Sequence, residues 1–328
     1  MRPSRCSRPL LIAALLGGAA SAAPAQRAAA PQGAEFLLLP VGARATALGQ
    51  AAAADGGTTE ALFWNPAGLA ALPRRELGVH HFSHLFSTGD ALTLAVPSPA
   101  LGSFALGAYV VDYGDFEITA RDGGDPVGQA TARNLALLAS YATDLVGGLA
   151  AGLVYKLVQF RVDCTGDCTD VPTAIGTTHA VDVGVRYVAT GRPLVIGLVV
   201  RHAGFKLQVR NQAQADPLPT RLAVGASYGL LRPSDGAEGF DVRVLADVQG
   251  ALGQGSLAPV TLVGVETGVH EAVRLRGGYA FLDSEARGPS LGLGLRFGNV
   301  GVDLARVFFA NDDLGEKEPI HFSLRALF

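Results

Sequence analysis

From about residue 76 to the end of the chain, apolar positions alternate with polar or small ones at a period of two. Successive side chains of an extended strand point to opposite faces, so this rhythm predicts strands with one apolar face. Val181, Val183, Val185 and Tyr187 fall on one face of such a run, and Asp182, Gly184 and Arg186 on the other. Leu194, Ile196, Leu198 and Val200 oppose Gly197 and Arg201. Phe240, Val242 and Val244 oppose Asp241 and Arg243, and Val273, Leu275 and Tyr279 oppose Arg274 and Arg276. Further on, Leu291, Leu293, Leu295 and Phe297 oppose Gly292, Gly294 and Arg296. The last run sets Ile320, Phe322, Leu324, Ala326 and Phe328 against His321, Ser323 and Arg325. About fourteen such runs are predicted, each close to the length at which a tilted strand crosses a bilayer. They lie at 76–86, 90–97, 101–111, 131–143, 148–161, 178–189, 193–208, 219–230, 240–249, 258–268, 272–283, 289–297, 299–309 and 319–328.

The connections alternate too. One set is long and polar, at 112–130, 162–177, 209–218, 250–257, 284–288 and 310–318. The other is mostly tight, at Ser98 to Ala100, Asp144 to Gly147, Thr190 to Arg192, His270-Glu271 and Gly298, with Arg232 to Gly239 the longer exception. Outer-membrane barrels have long outer loops and short periplasmic turns, and an even strand number leaves both chain ends in the periplasm. A soluble β-sandwich also alternates, but it does not require this long and short alternation, nor a terminal Phe328 closing an alternating strand. That aromatic end resembles the signal read by barrel-assembly machinery.

Composition supports the same class. Hydrophobic residues make up 49% of the 328 positions, charged residues only 17%, and glycine occurs 42 times. The chain is too apolar for disorder. With a formal net charge of −3 and Lys156, Lys206 and Lys317 as its lysines, it does not read as a nucleic-acid binder. No apolar stretch after the N-terminal leader is long enough for a spanning helix, which leaves a closed barrel in contact with outer-membrane lipid. The polar faces are narrow. They combine glycines with Asp182, Arg186, Arg201, Asp241, Arg243, Asp247, Glu266, Arg274 and Arg296, charges able to pair across a partly filled lumen.

Residues 1–25 read as a signal peptide. Arg2, Arg5 and Arg8 precede an apolar run from Leu10 to Ala20, and Ala23-Pro24-Ala25 offers a cleavage site. Cys6 lies before the apolar run, a poor place for a lipoprotein cysteine. An exported chain meets oxidising conditions, so Cys164 and Cys168 read as a disulfide at a loop tip; a metal site there lacks further ligands nearby.

Residues 26–75 do not alternate and read as a plug or hatch inside the barrel formed by 76–328; an apolar periplasmic tail is the blander alternative. Thr58 or Thr59 is placed to cap a short helix ending before Pro66, and Pro66 to open another turn. The stretch from Phe36 to Leu69 contains Gly42-Ala-Arg44-Ala and ends in Trp64-Asn65-Pro66-Ala-Gly68-Leu69. It resembles the N-terminal signature of the PorV/PorQ family, relatives of the FadL-type fatty-acid transporters. Asp112-Tyr-Gly-Asp-Phe-Glu117, His179 to Tyr187, Leu218 to Tyr228, Val302-Asp-Leu-Ala305, Asp313-Leu-Gly315 and His321-Phe-Ser-Leu324 are similar to further segments of that family. The alanine-rich stretch 50–54 and the cysteine pair depart from its usual pattern.

The resemblance implies a FadL-like barrel with the N-terminal segment in the lumen, and two functions. One is docking of secreted cargo proteins at the outer membrane, as in type IX secretion. The other is transport of hydrophobic small molecules such as long-chain fatty acids, with Trp64, Asn65 and Pro66 as the gate and Arg44 and Gly68 beside it.

No enzyme or cofactor is expected. Gly225-Ala-Ser227-Tyr-Gly229 matches a nucleophile-elbow pattern, but it lies within an alternating strand rather than at a strand-to-helix turn. Gly292-x-Gly294 with Gly298 is followed by no helix, so it is not a dinucleotide loop. His80 and His84 share a strand face and His81 points away; a polar-aromatic rim is the default and metal the alternative. Asp112, Asp115, Glu117, Asp122 and Asp125 read as a solvated outer loop without calcium-loop spacing.

Overall fold

The computed structural model describes residues 32–84, 87–119, 124–168, 173–209, 215–231, 240–253, 259–269, 272–282, 288–308 and 318–328. The expected signal peptide, the turns at 232–239 and 270–271, Asp122 and the Asp313 to Gly315 stretch lie outside these residues, as do parts of the expected loops 209–218, 250–257, 284–288 and 310–318.

Fourteen antiparallel strands form one closed barrel in chain order. They are β1 (Glu76–Ser83), β2 (Thr88–Ser98), β3 (Gly102–Thr119), β4 (Pro126–Asp144), β5 (Leu149–Gly166), β6 (Ala174–Val188) and β7 (Leu194–Gly204). After them come β8 (Arg221–Leu231), β9 (Phe240–Ala251), β10 (Val260–Val269), β11 (Val273–Phe281), β12 (Gly288–Phe297), β13 (Val300–Val307) and β14 (Ile320–Leu327). β1 closes the ring on β14, in register from Glu76 opposite Leu327 to Ser83 opposite Ile320. Closure removes the sheet edges, which is the condition for a sheet to sit in hydrocarbon.

The period-two pattern sorts as lipid outside and lumen inside. Leu92, Leu106, Val183, Leu275 and Leu291 are each more than half exposed on the outer wall, whereas Asp182, Asp303 and Ser323 are buried inside. In water such a belt of large apolar side chains is a liability; against lipid it is the stable arrangement. Ser227 is buried in mid-strand in β8, which continues extended to Leu231.

The expected loops 112–130 and 162–177 are largely strand. β3 runs to Thr119, β4 begins at Pro126, β5 reaches Gly166 and β6 begins at Ala174. Alternation fades there because Phe116, Val127 and Ile175 stand exposed among polar residues such as Asp115, Glu117, Gln129 and Thr131, so no face is consistently apolar. Side chains there pair across or along the strands: Arg133 Nε donates to Asp112 at 2.7 Å, Thr131 to Asp115 at 2.5 Å, and Arg161 to Asp163 at 2.6 Å. Cys164 and Cys168 are disulfide-bonded at the end of β5.

Residues 33–75 fill the lumen. A 3-10 turn (Glu35–Leu38) leads to α1 (Ala43–Ala47), then α2 (Ala61–Trp64) and a second 3-10 turn (Pro66–Ala71). α2 ends at Trp64 because Pro66 forces Asn65 into the extended region, at φ −145° and ψ 107°. Glu60, not Thr58 or Thr59, precedes α2. Thr59 instead gives both its backbone N–H and its hydroxyl to the Glu76 carboxylate, at 2.8 Å each, tying the hatch to the start of β1.

Candidate functional site

The site is the hatch, its seat on the wall and the two cavities that flank it. The seat is made of inward-facing glycines. A Cβ on Gly152 would overlap the Pro66 backbone, one on Gly184 the Asn65 side chain, and one on Gly197 the Ala53 carbonyl. Gly264 and Gly278 face Leu48 and Gly49 in the same way. Glycines on the lumen face therefore allow two backbones to touch. Within the hatch, Gly68 lies against Asp55 and Gly56 as tightly.

Asn65 is fully buried and its side chain makes three hydrogen bonds. The amide donates to the Ala53 carbonyl at 2.6 Å and to the Val185 carbonyl of β6 at 3.2 Å, and its oxygen accepts from Ala67 N at 3.1 Å. Pro66 opens the following turn, and its missing N–H costs nothing at that position. Trp64 donates its indole N–H to the Val41 carbonyl at 2.9 Å and carries the Arg201 guanidinium over its ring at 5.0 Å. The Trp64 to Gly68 motif thus acts first as the knot that closes the hatch on itself and on β6.

Toward the short-turn end the contact is ionic. Arg44 pairs with Asp55 at 3.1 Å and Glu266 at 3.4 Å, and Arg243 reaches the same two carboxylates at 3.0 and 2.9 Å. The chain continues through Arg276 to Glu266 and Asp303, both at 2.6 Å, and through Arg325 to Asp303 at 2.8 Å. Hatch residues Arg44 and Asp55 are thereby wired to β9, β10, β11, β13 and β14. Buried ion pairs stabilise little against an apolar replacement, but breaking one is costly, so such a network fixes position more than it adds stability. Burial works to raise the Asp55 carboxyl, yet Arg44 and Arg243 hold it below the ordinary range. Glu60 accepts from Ala45 N at 3.0 Å and lies deeper; burial, with Asp303 nearby, pushes it up to about 7.

The remaining lumen charges divide. Arg186 donates to the Ala54 carbonyl at 3.1 Å, Arg274 pairs with Asp241, and Asp247 accepts from Ala53 N at 2.7 Å. Arg296 stands exposed at the short-turn mouth, its Nε donating to the Gly298 carbonyl, rather than deep in the lumen. His80 is no rim residue either. It is buried against the hatch, with Nδ1 2.9 Å from the Ser323 hydroxyl and its ring edge-on to Phe63.

On the long-loop side of the hatch lies a cavity of about 20 Å³. Its walls are apolar and aromatic, including Leu37, Val41, Phe63, Trp64, Tyr109 and Leu138, and its polar end is Lys156, Arg201 and His202. Lys156 pairs with Asp182 at 2.6 Å and lies 3.0 Å from His202 Nδ1. A register shift between β6 and β7 turns both Arg201 and His202 inward opposite Asp182, with His202 at φ +58°. Sequence reading missed Lys156 and His202. Lys156 was in phase with the inward Gly152 and signalled its side; the bulge left no such mark. On the short-turn side a wider, open cavity of about 400 Å³ is lined by the ion network, with Arg274 and Arg296 at its mouth.

No protein-family profile and no curated protein sequence matches the chain. Solved structures do resemble it. The toluene transporter TbuX of Ralstonia pickettii aligns over 89% of this chain and 100% of its own, at 15% identity and a TM-score of 0.58. The toluene transporter TodX of Pseudomonas putida aligns over 88% and 98%, at 15% identity and 0.58. A FadL homologue of Pseudomonas aeruginosa aligns over 88% and 98%, at 12% identity and 0.53.

The fold is FadL-like. At these identities the likeness concerns architecture, that of an outer-membrane barrel, and the comparisons give no sign of the PorV/PorQ family in particular. In outer-membrane barrels the short turns face the periplasm; in that orientation the 20 Å³ cavity would be the outer one and the 400 Å³ vestibule the inner one.

Proposed function

We propose that this protein conducts hydrophobic small molecules across the outer membrane. The observation that carries the reading is the outer cavity. It is an apolar, aromatic pocket pressed against a hatch, at the centre of a barrel whose fold is shared with toluene transporters and a FadL homologue. It has room for about one water molecule, so a ligand enters by displacing the Glu35–Leu38 turn or the Trp64 ring. At its polar end, His202 Nε2 and Arg201 Nε are buried without a hydrogen-bond partner among the described residues. Such groups favour a ligand that is mostly apolar and carries one polar atom over a pure hydrocarbon. Trp64 is the gate of this reading; Asn65, Pro66 and Gly68 form its hinge, and Arg44 is the lock on the inner side.

The test is uptake. Cells lacking their own hydrophobic-compound transporters and expressing this protein are given labelled long-chain fatty acid, and separately labelled toluene. Faster uptake of either than with vector alone, altered by Trp64→Ala, supports the reading; rates equal to vector for both end it.

The sheet formed by β3 to β6 above the bilayer favours a second reading, docking of secreted proteins at the outer face. A filled lumen suits docking as well as gated transport. Co-purification of secreted proteins from the native cells, lost when the tip 113–130 is shortened, would support it.

A further inference from the structure

We propose that His84 and His321 form a binding site for a late first-row transition-metal cation at the long-loop end of the β1–β14 seam. Each of the other histidines among the described residues has at least one ring nitrogen engaged. His80 bonds Ser323, His81 bonds Asp90 at 2.8 Å, His179 bonds Tyr155 at 2.5 Å, and His202 lies on Lys156. His321 differs. It is 1% exposed, and both of its ring nitrogens are buried with no partner among the described residues. His84 Nε2 is buried and unpartnered in the same way.

A neutral imidazole carries one donor and one acceptor, and a buried ring that uses neither is rare unless water or an ion completes it. Here one such ring, His321, meets the half-buried imidazole of His84, whose Nε2 is itself buried and unpartnered among the described residues. Their centroids are 5.5 Å apart with an interplanar angle of 88°. Phe82 braces both, stacked on His321 at 5.5 Å and edge-on to His84 at 5.0 Å. A cation bound at a usual zinc–imidazole distance of ~2.0–2.1 Å sits roughly 3.2 Å from each ring centroid. Two rings 5.5 Å apart then subtend about 120° at the metal, within the range for tetrahedral or trigonal coordination. Imidazole nitrogen suits copper, zinc and nickel, and divalent affinity peaks at copper. Water would fill the open positions.

The site pairs the end of β1 with β14, the strands whose pairing closes the barrel. A cation there clips the seam and stabilises the closed form by mass action. The proposal does not depend on what the barrel transports.

The test uses the full mature protein, folded in detergent and purified without a histidine tag. Cu²⁺ is titrated and followed by electron paramagnetic resonance, and Zn²⁺ by thermal unfolding. The expected result is one Cu²⁺ per chain with two-nitrogen hyperfine structure, and a Zn²⁺-dependent rise in Tm. His84→Asn and His321→Asn should each abolish the two-nitrogen pattern and weaken binding at least about tenfold. His81→Asn should change neither. Heat-modifiable migration checks folding; if His321→Asn fails to fold, His84→Asn decides, because His84 lies outside β1. Absence of Cu²⁺ binding at micromolar concentration, or an unchanged two-nitrogen signal in His84→Asn, overturns the proposal and leaves water as the partner of these rings.

Discussion

Asn65→Ala tests whether the hatch is held by the Trp64 to Gly68 knot. The substitution removes three side-chain hydrogen bonds, at 2.6, 3.2 and 3.1 Å, from a residue with no solvent exposure. At roughly 0.5–1.5 kcal/mol net for each neutral bond, the hatch should lose about 2–4 kcal/mol against local opening. Every 1.4 kcal/mol is about tenfold in the opening equilibrium, so amides of the hatch should exchange roughly thirtyfold to several-hundredfold faster. Hydrogen exchange followed by mass spectrometry in detergent micelles reads this directly, on peptides spanning 51–70, with β4 and β5 as the internal reference. Strand peptides should keep their protection, because the ladder bonds of the closed sheet are untouched. Asn65→Asp should be no better than alanine, since it turns a carboxylate oxygen toward the Ala53 and Val185 carbonyls. Unchanged hatch exchange in Asn65→Ala would refute the knot. Wild-type protection in Asn65→Asp would refute the orientation of the amide.

Other expectations concern the seat, the ion network and the gate. Gly197→Val puts a side chain into the Ala53 carbonyl and should unseat the hatch, read as new conductance in planar bilayers with a still heat-modifiable barrel. Gly277→Val, whose Cβ meets nothing closer than 3.6 Å, should stay closed. Glu60 binds its proton more tightly folded than unfolded, by burial and by Asp303, with its value moved from 4.5 to about 7. Its contribution is thus greatest below pH 4.5 and is lost as pH rises toward 7; Glu60→Gln should flatten that part of the urea-midpoint profile. Trp64→Ala removes a buried indole and its bond to Val41, and should lower the unfolding free energy by about 3–5 kcal/mol while enlarging the outer cavity, measured as tighter binding of an apolar fluorescent probe.

The strand pattern was legible because a barrel wall asks one question of each residue, lipid or lumen, and period two answers it. The alternating runs at 181–187, 240–244 and 291–297 match the faces that β6, β9 and β12 present. The glycines among the inward positions also signalled a narrow lumen. Alternation stopped being informative where β3 to β6 rise into water, because neither face there needs an apolar residue, and these stretches looked like loops. β1 begins at Glu76, and the segment before it has neither the strand period nor long helices.

What the linear chain determined by itself, then, is the wall: which residues face out, about how many strands there are, and that the N-terminal segment is something else. Tertiary structure alone decided what the inside does. Arg44 meets Glu266, and through Arg276 joins Asp303 and Arg325, only because closure brings the last strands round to the hatch. Lys156 finds His202 only through an extra residue in β7, and His84 finds His321 only across the closing seam. Contacts between residues tens to hundreds of positions apart leave no local periodicity to read, so pairing, cavities and the meeting of the two histidines appear only when the ring is shut.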